Sequence, residues 1–183
     1  MEQRYSKREI DLFFGDAVQI SEEGNVPYGW QFKDENISIK TAKGNKLNCF
    51  GMITRNNDFV FETTYEIIDS NFIIELINNF SKTIAKHTVI VLDNAKMHQS
   101  KVHQSKLYKQ MKDEWAKKQL FIFYLPPYSP QLNIIERLWK EMKERWISVE
   151  DYLTTDTLFY KTKLILNEIG NSLKLNFKKV LSV

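Results

Sequence analysis

TVIVLD, residues 88–93, is a run of apolar and β-branched residues closed by an aspartate. A short run of this kind without alternation suits a central strand covered on both faces, with Asp93 at its carboxyl end. Upstream, Ser70 is placed to cap a helix in which Phe72, Ile73, Leu76, Ile77 and Phe80 recur at helical spacing. Downstream, a lysine-rich stretch from about Val102 to Lys118 reads as a helix. LFIFYL at 120–125 reads as a strand, ended by Pro126 and Pro127, which lack backbone donors. Ser129 and Pro130 then resemble a cap and first turn. Leu132, Ile135, Trp139, Met142 and Trp146 mark the apolar stripe of the helix that should follow, with Glu136 at its edge.

Three further strands are expected nearer the amino terminus. In the first, Leu12, Phe14, Asp16, Val18 and Ile20 share one parity from Ile10 to Ile20, which puts an acid in an apolar row. SEEGN at 21–25 leads into a second from Tyr28 to Lys33, and KGN at 43–45 into a third from Lys46 to about Ile53. The predicted order is β-β-β-α-β-α-β-α, an α/β chain with a mixed five-stranded sheet flanked by helices. That order resembles the RNase H-like fold. Residues 1–183 are expected to form a single domain, with a core over about 8–147 and a helical C-terminal extension over about 150–183.

Composition narrows the function classes. The 183 residues are 43% hydrophobic and 13% aromatic, enough for a packed core and unlike a disordered segment. No apolar run approaches the roughly 20 residues needed to cross a bilayer, and the first residues lack a signal peptide's apolar middle, so a cytoplasmic, nucleoid-associated protein is expected. The lone Cys49 has no partner for an internal disulfide, and the three histidines lack zinc-type spacing, so any metal site must use oxygen ligands. Net charge is +3, but the segment from Asn94 to Arg145 has eleven basic and five acidic residues and so carries +6, leaving −3 for the rest. Clustered lysine and arginine neutralise phosphates, and solvated helix faces have the same composition.

Asp16, Asp93 and Glu136 are the candidate catalytic and metal-ligating residues. Each also has an ordinary explanation: a misjudged strand register for Asp16, a turn cap for Asp93, and a surface pair with Lys140 for Glu136. If neighbouring strands bring them together, their carboxylates repel one another until a cation intervenes, and carboxylate oxygens suit Mg²⁺ or Mn²⁺. Two such ions about 3.5–4 Å apart would activate an attacking hydroxyl and stabilise the leaving oxygen of a phosphate ester.

VIVLDNAKMHQS and FIFYLPPYSPQLNIIERLWKEMK resemble insertion-sequence transposases of the mariner-like DDE superfamily, found in bacteria. The family pattern is carried by Asp93, Asn94, His98, Leu125 to Pro130, Leu132, Asn133, Glu136, Leu138 and Trp139. A shorter match runs through Asp16 and Trp30. The resemblance implies metal-dependent cleavage at transposon ends and strand transfer into target DNA at TA sites, using two Mg²⁺ or Mn²⁺ ions on Asp16, Asp93 and Glu136. Asn94, His98 and Asn133 would support them, and Lys96, Lys101, Arg137 and Lys140 are candidate DNA contacts. It further implies a homodimer on DNA and an upstream helix-turn-helix, as a separate polypeptide or a frameshift fusion. The alternative is a non-catalytic remnant that binds DNA or full-length transposase and regulates it. The chain departs from the family at Ala17, where a second acid is common, at Ile134, where proline is common, and in the long interval from Asp93 to Glu136.

Overall fold

The computed structural model describes residues 1–21, 45–93, 106–127 and 129–177, without the side chains of 106 and 107. A short helix α1 (Glu2–Ser6) leads into β1 (Asp11–Ser21), and β2 (Lys46–Ile53), β3 (Phe59–Thr64), α2 (Ser70–Phe80) and β4 (Thr88–Leu92) follow. Next come α3 (Lys106–Lys117), β5 (Leu120–Tyr124), a 3₁₀ turn at Pro130–Leu132 and α4 (Ile135–Glu141). A π turn at Met142–Trp146, a 3₁₀ turn at Val149–Leu153 and α5 (Thr155–Glu168) complete the order.

The five strands form one sheet in the order β3-β2-β1-β4-β5. β1 pairs antiparallel with β2 and parallel with β4, and β5 continues parallel at the edge. The expected mixed sheet is therefore present, and its central pair is β1 and β4.

One face of the sheet carries Phe13, Phe50, Met52, Ile90, Leu92 and Leu120, closed over by Ile73, Ile74 and Ile77 of α2 and Tyr108 and Trp115 of α3. The other carries Val18, Ile20, Leu47, Cys49 and Ile53, covered by Ile135, Leu138 and Trp139 of α4, Met142 of the π turn, and Leu158, Phe159, Ile165 and Leu166 of α5. Every even residue of β1 from Leu12 to Ile20 is buried on this second face except Asp16, which is half-buried. The alternation anticipated for β1 thus holds, with Asp16 in the row.

Two expectations about individual elements need correction, the cap of α2 and the start of the helix carrying Glu136, and two others fall wholly or partly outside the described residues. The expected strand Tyr28–Lys33 lies outside the described residues, and the third strand of the meander is instead β3, reached through a tight turn at Thr54–Asp58. In that turn Asn57 takes the left-handed φ of 70°, which asparagine tolerates well. Asp69, not Ser70, caps α2, its Oδ1 accepting from the Phe72 N–H at 2.9 Å. The helix expected from about Val102 to Lys118 is present over Lys106–Lys117, and its expected first residues lie outside the described residues. Finally, Ser129 and Pro130 open only a 3₁₀ turn, without a side-chain cap. The chain is extended at Asn133, and α4 starts afresh at Ile135, uncapped. The uninterrupted stripe expected from Leu132 to Trp146 is accordingly broken, and Leu132 is half exposed.

Candidate functional site

Asp16 and Asp93 are brought together by the register of the two central strands. Gly15 of β1 stands opposite Leu92 of β4 in parallel pairing, and Asp16 and Asp93 are the next residue on each. Adjacent strands run about 4.8 Å apart, so the two acids emerge as neighbours at the carboxyl end of β4. Glu136 arrives from the first turn of α4, over the same face as Asp16. Asp16, Glu136, Trp139 and Lys143 line one cleft of about 460 Å³, whose floor runs along β1 from Asp16 to Ser21.

The electrostatics record this convergence. Asp16 is pushed up from 3.8 to about 7, first by burial and then by the charges of Glu136 and Asp93, while the Ala17 backbone N–H and the Trp139 indole oppose the rise. Glu136 is also raised, first by burial and then by Asp93, against the pull of Lys143. Burial lowers Lys143, and Glu136 and Asp16 work against that lowering. Asp16, Glu136 and the half-buried Lys143 therefore sense one another inside one cleft, and the two acids also feel the charge of Asp93.

The donor set consists of carboxylate oxygens, which fits a hard divalent cation such as Mg²⁺ or Mn²⁺ and would not suit a soft one. The proton affinities of Asp16 and Glu136 are raised first by burial, and the smaller part due to neighbouring acid charges is the part that a cation would also relieve. Among the described residues, no three His, Cys, Asp or Glu side chains stand close enough to be a ready-made metal cage. Asp16 and Glu136 face the cleft, with Asp93 beside Asp16, without being drawn in to a common centre.

Small residues and one amide set these positions. A β-carbon on Gly15 would come within 2.9 Å of the Leu92 side chain, and one on Gly51 within 2.9 Å of the Trp139 ring. Gly51 is the cross-strand neighbour of Asp16. The Trp139 ring thus occupies the space that a side chain at 51 would fill, packed edge-on to Phe59 with centroids 6.1 Å apart. The buried Asn133 Nδ2 donates to the Gly15 carbonyl at 3.1 Å, which ties the chain just ahead of α4 to the residue before Asp16. Buried amides bonded in this way fix relative position because breaking them strands a polar group.

The remaining sequence candidates divide. Asn94, Lys96, His98 and Lys101 lie outside the described residues. Lys140 approaches Glu144 at 4.0 Å, so the pairing with Glu136 that would have made Glu136 ordinary is not the one adopted. Arg137 donates to the Asn176 carbonyl at 3.0 Å, away from the cleft lining. Two cleft residues were not anticipated. Lys143 was counted only as part of the basic segment, although it follows Glu136 by seven residues and thus by about two helical turns on the same face. Trp139 was assigned to the core, and it belongs both to the core and to the cleft.

Comparisons with known proteins agree with this geometry. A profile of the family described as "DDE superfamily endonuclease" matches residues 11–158. No curated protein sequence matches the chain. Among solved structures, the Mos1 strand transfer complex superposes with a TM-score of 0.58 at 14% identity, over 96% of this chain and 51% of that one. The mariner Mos1 paired-end complex with Mg gives 0.52 at 15% identity, over 97% and 60%. The corresponding complex with Mn gives 0.52 at 12%, over 93% and 56%. At such identities the likeness is one of fold, the RNase H-like fold, and the chain spans only about half to three fifths of the proteins it resembles.

Proposed function

Because the chain belongs to the DDE superfamily endonucleases, we propose that it is a DNA transposase catalytic domain that cleaves DNA strands at transposon ends and joins them to target DNA at TA sites. The observation that carries this reading is the placing of Asp16 and Glu136 in one cleft, with Asp93 next to Asp16 by strand register and its charge felt by both. In this reading those three residues hold two Mg²⁺ or Mn²⁺ ions, the metals named for the Mos1 complexes. When bound, the ions supply charge neutralisation at the scissile phosphate and activation of water or a 3′-hydroxyl.

The chain's own residues do the rest. Asp16, in the middle of β1, and Asp93, just past the end of the neighbouring β4, fix one side of the site. Glu136, on a helix tethered through Asn133, fixes the other. The half-buried Lys143 places a positive charge beside the acids, where a phosphate of the substrate strand would lie. Arg137 and Lys140 of α4 are the described candidates for further DNA contacts, Lys96 and Lys101 lying outside the described residues, and an upstream helix-turn-helix and a second copy of the chain complete the assembly on DNA.

The test is Mn²⁺-dependent nicking of an end-repeat duplex by this chain joined to its DNA-binding region, comparing Glu136→Gln with Lys140→Gln. Loss of a metal ligand should remove several kcal/mol of transition-state stabilisation, about a thousandfold or more in rate, at nearly unchanged thermal stability. The Lys140 variant should keep most activity. Full activity in Glu136→Gln overturns the assignment.

A further inference from the structure

Two polar atoms beside the acids are buried without a hydrogen-bond partner: Asn133 Oδ1 and Trp139 Nε1. The indole is the more informative. Its ring is clamped between the space above Gly51 and the edge of Phe59, so its N–H is not free to turn toward solvent. Gly51 is the direct cross-strand neighbour of Asp16, the Trp139 ring stands over Gly51, and Asp16 and Trp139 line the same cleft, yet the indole N–H has no hydrogen-bond partner. An indole N–H only donates, and a buried donor is costly to leave unmade.

We infer that Trp139 is a positioning residue for Asp16, its indole N–H closing onto the carboxylate when that group turns to take a divalent cation. The inference rests on the metal-binding reading above. A carboxylate has lone pairs enough to ligate a cation on one side and accept the indole on the other, and donors of this kind orient ligating groups from behind. The contact left open is thus completed by the cation's arrival. Trp115 supplies the contrast: its Nε1 is equally unpartnered, but it lies among apolar side chains on the opposite face of the sheet.

Trp139→Phe keeps an aromatic ring against Gly51 and Phe59 and removes only the donor. Calorimetric titration with Mn²⁺ should then show Kd raised about tenfold or more, the range seen when second-layer partners of metal ligands are lost. The cation-free melting temperature should stay close to that of the natural chain, because no completed bond is removed. Trp115→Phe should titrate as the natural chain does. A purely structural Trp139 gives the reverse pattern, with a lowered cation-free melt and unchanged Kd, and that result overturns the inference while leaving the metal reading intact. Absence of any Mn²⁺ binding by the natural chain overturns both. Should Trp139→Phe fail to fold, the natural chain decides the matter. Its Trp139 indole proton should move downfield and exchange more slowly on adding Mg²⁺, and an unmoved resonance at saturating Mg²⁺ refutes the role.

Discussion

The two faces of the sheet are built from the same strands and obey different rules. On the face under α2 and α3, the central residues are apolar and the covering helix begins with a side-chain cap. On the face under α4, an acid interrupts the apolar row of β1 and the covering helix starts without a cap, then widens into a π turn closed by the Ile147 N–H to the Met142 carbonyl at 2.9 Å. Two polar atoms next to the acid remain unpaired. One face is optimised for stability. The other gives up capping, regular helix geometry and charge neutrality at one spot, where such departures gather around functional sites.

If that contrast is right, the largest stability effect belongs to the closed face. Trp115 is 2% exposed and packs edge-on against Tyr108 at 5.9 Å. Trp115→Ala should cost about 3–5 kcal/mol in denaturant unfolding, the range for large aromatic truncations in a core. A loss below about 1 kcal/mol would mean that α3 is not anchored there, and the contrast between the faces would fail.

The open face should respond in the opposite direction. The folded chain holds the Asp16 proton up to about pH 7, while the unfolded chain releases it near 3.8. Between those values the folded state binds more protons, so Asp16 lowers cation-free stability progressively as pH rises from about 4 to 7. The loss is complete above 7. Asp16→Asn should therefore stabilise the cation-free protein at pH 8 by about 2 kcal/mol, after allowance for solvent screening of a half-buried group, and by almost nothing near pH 4. Chelator-treated chemical denaturation at both values measures this. The same variant should lose its stabilisation by Mn²⁺. A destabilised Asp16→Asn at pH 8 would show that the carboxylate is a structural partner.

How far each face was readable from sequence follows from the same difference. β4 and β5, read from short apolar runs, and α2 and the placing of Asp16 in the β1 row, read from periodicity, depend on local signals, and the fold reproduces them. β3 was missed although FVFETT after the turn-forming Asn56, Asn57 and Asp58 alternates as a strand should. Its side chains are only half-buried, and the pattern was accordingly faint. At the site, Asp16, Asp93 and Glu136 could be nominated from the sequence because the chemistry proposed for them is in their side chains. The places of Lys143 and Trp139 were not. Both depend on how α4 lies across β1 and β2, which is settled by Gly51 and by the Asn133 bond to Gly15 across 118 residues. Spacing along one helix does not contain that information.

The smallest effect tests the helix starts themselves. Asp69 caps α2 through a 2.9 Å bond from the Phe72 N–H, and its charge complements the positive end of the helix dipole. Asp69→Ala should cost about 1 kcal/mol. Ser129 occupies the corresponding place in the sequence pattern of the other face, ahead of Pro130, yet its hydroxyl donates only weakly back to the Pro127 carbonyl at 3.4 Å and supports no helical N–H. Ser129→Ala should therefore change unfolding free energy by less than about 0.5 kcal/mol, the range for surface substitutions that remove no cap. Equal losses from the two substitutions in parallel urea titrations would mean that Ser129 does cap a helix running from Pro130 through Glu136. In that case the break at Asn133 would not persist in solution, and the tether from Asn133 to Gly15 would no longer explain how Glu136 is held opposite Asp16 and Asp93.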